Sequence, residues 1–406
     1  MTRTQAACSV LFALALVATP VAGAVGASTG SATESLADSG ATHASVGATA
    51  AEPCSYPLSL RDASGSTVEV SEEPERVVTL GPASAQTMWE LDAQSKVVGV
   101  TQFAAYLDGA TAKANVSGAG QTRISVEKVV AQDPDVVLAE NVTDPETVSA
   151  LRNAGVTVYY FNNSESVDDV YDKVASTGRL VGECDAAVES VRWMKEEMAI
   201  VQNATEGEEP RNFLYSLYGY TAGENTFIHS GLTAAGGNNL AVGVVEFPPS
   251  GYAPINPETV ANLSVDWIVY PGTEAAIPKN AAWNQTTAVQ EGNLVAVDRN
   301  QISQPAPRVA LAVRHLAKTW YPESYEEANE SLRGTVQVNA DIYAHLETEP
   351  TATTSDDGDS TDDDAQTTGV AGTTTVTDDG ATPGFGPVVA LLAAAVLVVG
   401  ALARRD

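Results

Sequence analysis

The sequence predicts an α/β protein of two lobes joined by a single long helix, and three observations carry that prediction. Short β-branched runs alternate with helical ones through the first half. A helix-then-strand unit recurs at a constant offset of 131 residues. Between its two copies lies one amphipathic stretch long enough to bridge two lobes.

In order, "RVVTL" is followed by the helical "SAQTMWELDA", then "KVVGV", "SVEKVVAQ", "DVVLAE", "PETVSALRNAG" and "VTVYYF". Continuous apolar strands separated by helices imply a parallel sheet covered on both faces. Asp135 and Gly155 stand where such units turn. The repeat aligns "SVEKVVAQDPDVVL" from Ser125 with "NPETVANLSVDWIV" from Asn256. Ser125 and Asn256 are good N-caps, and Pro257 suits a first helical position. Glu127 and Glu258 fall in the first turn, where a carboxylate favours the helix dipole. In residues 184–204, Val188, Val191, Met194, Met198 and Val201 recur at three- and four-residue spacing, with Glu189, Lys195 and Glu196 on other faces. That is one helix of roughly 30 Å, a stiff connector that limits how far two lobes can close.

The expected boundaries are an N-terminal lobe over 54–183, the bridge over 184–204 and a C-terminal lobe over 205–347. Residues 1–27 read as a secretory signal peptide, with Arg3 before an apolar run that ends in small residues. Residues 28–53 are Ala, Gly, Ser and Thr with few bulky side chains, the composition of a flexible leader. Residues 348–382 repeat that character with many aspartates, which makes them a solvated stalk. From Gly384 to Ala403 nothing is charged, and twenty helical residues span roughly 30 Å, a bilayer's hydrocarbon thickness. Arg404 and Arg405 follow and favour the cytoplasmic side, which puts the remainder of the chain outside.

Charge and cysteine content fit that location. The chain has 21 Lys+Arg against 52 Asp+Glu, a net charge of −31, which excludes nucleic acid and anionic lipid as natural partners and suits high salt, where self-repulsion is screened. Asn115, Asn141, Asn162, Asn203, Asn262, Asn284 and Asn329 open Asn-x-Ser/Thr sequons, potential glycosylation acceptors on a protein outside the cell. Cys54 and Cys184 are the cysteines beyond the signal peptide, and a disulfide is expected in an oxidising exterior. Two free thiols, or a lipid on Cys54, are the alternatives.

The tail, with Pro383, Gly384 and Phe385 between an acidic stalk and a hydrophobic segment with basic end, resembles the PGF-CTERM sorting signal of haloarchaeal surface proteins. That resemblance implies an archaeosortase that removes residues beyond the motif and a lipid anchor that replaces them.

The folded region, from about Arg76 to Tyr321, resembles the substrate-binding proteins of ABC importers for cobalamin, ferric siderophores or heme. The motifs that carry the likeness are "ERVVTLGPASAQTMWELDAQSKVVGV", "VEKVVAQDPDVVLA", "AGVTVYYF", "TAAGGNN", "INPETVANLSVDWIVYPG" and "SQPAPRVALA". The resemblance implies two Rossmann-like lobes with the ligand in the cleft between them, a permease and its ATPase subunits as partners, a monomeric receptor, and no cofactor. It assigns Glu127 and Glu258 to docking on permease arginines, where charge pairing gives orientation more than affinity; both also support their helices as first-turn carboxylates. Six positions before each, where the cobalamin-binding member has aromatics, stand Tyr252 in the C-terminal lobe and Gln121 in the N-terminal one. Phe103 and Tyr106 match cleft aromatics after "KVVGV", at strand ends where open α/β sheets bind ligands, and flat rings suit a large planar ligand. Gln301 and Gln304 match the last cleft loop, with Arg308 at the start of the final helix, either at the ligand or paired with an acidic residue of the fold.

A bare metal ion fits less well: His43, His229, His315 and His345 are scattered, no Cys/His cluster has ligand spacing, and His315 lies in an apolar helical run that reads as core. Ferric binding through Tyr218, Tyr220 and Tyr252 is the alternative ligand reading. No G-x-S-x-G, Walker or H-E-x-x-H motif is present, and Gly118 to Gly120 do not complete a dinucleotide fingerprint, so the expectation is a receptor rather than an enzyme. A passive surface or adhesion protein on the same scaffold is the reading from another class.

Overall fold

The computed structural model describes residues 54–119 and 124–346. The signal peptide, leader, stalk, sorting tail with Pro383, Gly384 and Phe385, and also Gln121, lie outside the described residues. A short antiparallel hairpin, β1 (Leu58–Arg61) and β2 (Thr67–Val70), precedes the first parallel sheet. That sheet contains β3 (Val77–Thr79), β4 (Val97–Val100), β5 (Ala114–Asn115), β6 (Val136–Ala139) and β7 (Val158–Tyr160), in the order β5-β4-β3-β6-β7. Alternate side chains of β6 enter two different cores: Val136 and Leu138 join one, Val137 and Ala139 the other. A two-sided apolar strand of this kind belongs in the middle of a covered parallel sheet. The covering helices are α1 (Pro82–Glu90) and α4 (Val167–Val181) on one face, and α2 (Val126–Val130) and α3 (Pro145–Asn153) on the other.

The helix α5 (Cys184–Thr205) ends within a residue of the expected boundary. The second lobe begins with β8 (Arg211–Tyr215), β9 (Tyr220–Ala222), α6 (Phe227–Ala234) and β10 (Gly237–Asn239). It continues with β11 (Tyr252–Pro254), α7 (Pro257–Asn262), β12 (Trp267–Pro271), α8 (Ala281–Asn284), α9 (Thr287–Glu291) and β13 (Leu294–Val297). The chain closes with α10 (Arg299–Ile302), α11 (Val309–Trp320) and α12 (Pro322–Leu332). The second parallel sheet has the order β10-β8-β12-β13, and β9 pairs antiparallel with β11. The sequence repeat is thus a structural one. Helices α2 and α7 start at Val126 and Pro257, strands β6 and β12 at Val136 and Trp267, each pair 131 residues apart, and each strand lies beside the first strand of its parallel sheet, β3 or β8.

One apolar core runs unbroken through both lobes and the bridge, from Met88 through Val191 and Met194 to Phe213 and Leu316. Val191, Met194 and Val201 are buried as the periodicity requires, while Val188 and Met198 are half-buried. Glu196 departs from expectation. With Glu197 it is buried, because Arg333 of the segment after α12 reaches both carboxylates, Arg314 reaches Glu197, and the Gly334 N–H donates to Glu196 at 2.8 Å. His315 departs the other way: Val309, Val313, Leu316 and Ala317 form the buried stripe of α11 and leave His315 exposed.

Two further links hold the lobes. Cys54 and Cys184 form a disulfide with a Cα–Cα separation of 5.9 Å, which fastens the start of the described chain to the first residue of α5. On α1, the fully buried Gln86 amide donates to the Tyr106 hydroxyl at 2.9 Å and to the Asn300 carbonyl at 2.8 Å, and accepts the Arg308 N–H at 3.2 Å. The Arg308 Nε donates to Glu90 at 2.7 Å. The structure therefore gives Arg308 the acidic partner in the fold, across the two lobes.

Replacing Cys54 and Cys184 with serine removes a link between residues 130 apart; the expected loss is about 2–5 kcal/mol, read from denaturant melts with and without reductant. Gln86→Leu keeps the volume but strands a hydroxyl, a carbonyl and an N–H, so a loss of about 2–3 kcal/mol is expected, seen as a lower midpoint at unchanged slope.

Candidate functional site

In a parallel sheet all strands end on one edge, and loops leaving that edge gather the side chains able to meet a ligand. In the first lobe this edge is organised by a buried ion pair. Glu140 follows β6, and its Oε1 accepts from the Ser84 N–H and, at 2.5 Å, the Ser84 hydroxyl, capping α1. Lys173 of α4 pairs with its other oxygen and lies 5.2 Å from the Phe161 ring. Gly81 is what lets the carboxylate in: a Cβ there would lie 2.1 Å from Glu140 Cγ. The helix start and the strand end are thereby fixed to each other.

Phe103 sits half-buried on a 3-10 turn, Gln102–Ala104, directly after β4. Tyr106 follows it, half-buried, with its hydroxyl held by Gln86. Burial above all pushes that hydroxyl up to about 12, against the opposing pull of the Gln86 hydrogen bond and of Arg308, so it acts as a neutral hydrogen-bonding group at any ordinary pH.

In the second lobe the corresponding edge holds Tyr215, the tight turn after β8 and Arg299 after β13. Leu217 and Tyr220 exchange backbone hydrogen bonds of 2.9 and 3.0 Å around Tyr218 and Gly219, whose φ values are 53° and 88°. This is the mirror-image hairpin turn that needs positive φ at both central positions, and a tyrosine is an uncommon occupant. The Tyr218 N–H is held by the Ala276 carbonyl at 2.7 Å, and its hydroxyl accepts from Arg299 Nη2 at 3.3 Å. Tyr252 pairs with Ala222 in the β9–β11 ladder and packs partly buried against the main core. Burial, with Tyr215 nearby, pushes its hydroxyl far above the ordinary phenol range. The Tyr215 hydroxyl is fully enclosed; it faces Ser303 and Arg299 without a hydrogen bond of full geometry.

The two glutamines of the last loop separate. Gln304 is half-buried with an amide that makes no hydrogen bond among the described residues, whereas Gln301 lines a groove of about 630 Å³ beside α11 and α12, with Arg314 and Arg333. Among the described residues no group of three His, Cys, Asp or Glu side chains is placed to hold a metal ion. Periodicity and motif matching did not mark Gln86, Glu90, Glu140, Lys173 or Arg299; the signal available for Glu140 was its position one residue past a fully apolar strand.

Glu127 and Glu258 are exposed in the first turns of α2 and α7. Ser125 Oγ accepts from the Lys128 N–H at 3.3 Å, and Asn256 Oδ1 from the Glu258 N–H at 2.6 Å, so both caps form. Each helix begins at a strand-end edge: the Ser125 N–H donates to the Val116 carbonyl just past β5, and the Ile255 N–H to the Gly219 carbonyl just past β8.

The family model described as "Periplasmic binding protein" matches residues 77–300, more than half of the 406 residues. The cobalamin-binding protein of Halobacterium salinarum is 38% identical over 332 residues, covering 79% of this chain and 86% of that protein. The ABC transporter substrate-binding lipoprotein YvrC of Bacillus subtilis is 28% identical over 284 residues, 67% and 88% of the two chains. Among solved structures, the periplasmic heme-binding protein RhuT of Roseiflexus sp. RS-1 in apo form superposes with a TM-score of 0.55 at 23% identity, over 62% of this chain and 99% of that one. The vitamin B12-binding protein BtuF of Vibrio cholerae gives 0.53 at 19%, over 63% and 98%. Those structures share the fold: two α/β lobes about one bridging helix. By the family match and by its likeness to the Halobacterium protein, the chain belongs to the periplasmic binding protein family.

Proposed function

We propose that this chain is the extracellular solute-binding component of an ABC importer, that it captures a corrinoid or metal chelate between its lobes, and that it passes the ligand unchanged to a membrane permease. Cobalamin is the first ligand to test, with heme and ferric siderophores next. The observation that carries this reading is the 38% identity to a cobalamin-binding protein across four-fifths of the chain. The site supports it with half-buried aromatics, Phe103, Tyr106 and Tyr252, and the unengaged amide of Gln304, all on loops or strands at the lobes' strand-end edges. Gln121 is assigned to the same cleft by its place six residues before Glu127. The receptor acts as a monomer, held at the outer face of the membrane through the tail or through the lipid that an archaeosortase would install, and the permease with its ATPase subunits meets it at Glu127 and Glu258.

Tryptophan fluorescence of residues 54–346 in multimolar salt, titrated with cyanocobalamin, hemin and a ferric hydroxamate, tests the ligand assignment. Saturable quenching by one of them at micromolar concentration or below is expected, and silence toward all three would refute the assignment. Glu127→Arg with Glu258→Arg is expected to abolish uptake by cells while leaving ligand affinity unchanged, since both side chains are exposed; the lost first-turn carboxylates lower stability by about 1–2 kcal/mol, which the melting temperature reads separately. Loss of ligand affinity in a folded double variant would remove the docking role.

A further inference from the structure

Arg299 stands two residues past β13, at the edge that also carries Tyr215, Tyr218 and Gly272. Its guanidinium lies against Gly272, where a Cβ would come within 3.3 Å of Nη2 and 3.5 Å of Nε. Gly272 has φ +80° and so combines a left-handed backbone with an open berth for the planar group. The cation has little else to hold. Nη2 reaches the Tyr218 hydroxyl at a long 3.3 Å, and Nε is buried with no acceptor among the described residues.

The other arginines of this lobe are occupied differently. Arg308, Arg314 and Arg333 each meet a glutamate, while Arg299 meets no carboxylate among the described residues. Its neighbour Asp298 turns its Oδ1 to the Asn300 N–H at 2.8 Å. Arg211 also has an Nε without an acceptor, but its guanidinium covers the Tyr321 ring at 4.9 Å and donates to the Trp320 carbonyl at 3.3 Å, at the opposite edge of the sheet. Lys113 and Arg211 are also half-buried without a carboxylate, but each donates to a backbone carbonyl, at 2.9 and 3.3 Å; Arg299 lies at the edge where the ligand is proposed to enter.

We infer that Arg299 anchors an anionic oxygen group, a phosphate or a carboxylate, carried on the periphery of the ligand. The inference rests on the receptor reading above and adds one chemical feature that its ligand has. A guanidinium fork matches two oxygens of such a group at once, and a partly desolvated one gains most from it. Tyr218, held at positive φ by its turn, is the positioning residue that keeps the fork over Gly272.

Two pairs of probes separate the sources of the anion. Cyanocobalamin carries a phosphodiester that dicyanocobinamide lacks, and hemin carries carboxylates that hemin dimethyl ester lacks. The unaltered protein is expected to prefer the anion-bearing member of at least one pair by about tenfold or more, the worth of one charged hydrogen bond. Arg299→Gln is expected to erase that preference while keeping affinity for the anion-free member within about twofold of the original; Arg299→Lys, which keeps charge without the fork, is expected to fall between. A preference in the first pair assigns phosphate, and in the second carboxylate. Binding of the probes with no preference within either pair overturns the inference while leaving the receptor reading intact, as does an equal loss for both members in a variant of unchanged melting temperature. Should Arg299→Gln fail to fold, the preference of the unaltered protein and of Arg299→Lys decides. Failure of every probe to bind removes the receptor reading and this inference together.

Discussion

The adjacent carboxylates Glu196 and Glu197, buried in the middle of α5, are the constraint on which the arrangement of the lobes depends. Leaving a buried charge without its partner costs about 3–5 kcal/mol, so the elements that neutralise these two are not free to move. Arg333 and Arg314 reach them from the far side of α12 and from α11, Arg192 from one turn earlier on α5, and the Tyr325 hydroxyl lies 3.4 Å from Glu197. The Glu197 carboxylate, foremost among several contacts, pushes the Arg333 guanidinium above its already high range. The two C-terminal helices are thereby fastened to the bridge, and because one apolar core continues from the bridge into both sheets, the second lobe moves only as the bridge moves. The lobes also meet through polar contacts, the hydrogen bonds of Gln86 and the Arg308–Glu90 ion pair.

That division explains what the sequence revealed and what it did not. Strand and helix order, the 131-residue repeat and the bridge are set by local apolar periodicity and by caps, so they were legible: β6 and β12 begin where the repeat put them, and α5 ends one residue past the expected limit. Glu196 was misplaced because its burial depends on an arginine 137 residues away, and no periodicity within a helix reports a partner that distant. His315 was misplaced for a different reason. Its run is apolar on average, yet the stripe at three- and four-residue spacing passes through Val309, Val313, Leu316 and Ala317, and a strict phase count excludes it. Arg308 matched a ligand-binding position by motif, but only the fold shows that Glu90, 218 residues away, takes its charge. Arg299 carried no motif at all, and its character arises from Gly272 and Tyr218, brought beside it by the sheet.

The excess of acid shapes the same site. At −31 the chain repels itself, and added salt screens that repulsion. Some of its cations are spent on buried carboxylates: Lys173 on Glu140, Arg152 on Asp62, Arg333 on the bridge. Buried pairs are screened by salt far less than exposed ones, so interior electrostatics can persist in brine where surface pairing contributes little. A hydrogen-bonding fork in a partly desolvated berth keeps its value under the same conditions, which a lysine on an open surface would not.

Strand topology also sets which side of each lobe the two repeated glutamates occupy. Helices in a parallel sheet run opposite to the strands, so the first turn of each lies at the edge where strands end. Hydrogen bonds from Ser125 to Val116 and from Ile255 to Gly219 fix the starts of α2 and α7 at those edges. Glu127 and Glu258 consequently belong to the same side of each sheet as Glu140 and Arg299, rather than to the back of the lobe. Each exposed carboxylate thus shares an edge with the loops that carry its lobe's half-buried aromatics, while the buried charges of α5 fasten α11 and the end of α12 to the bridge.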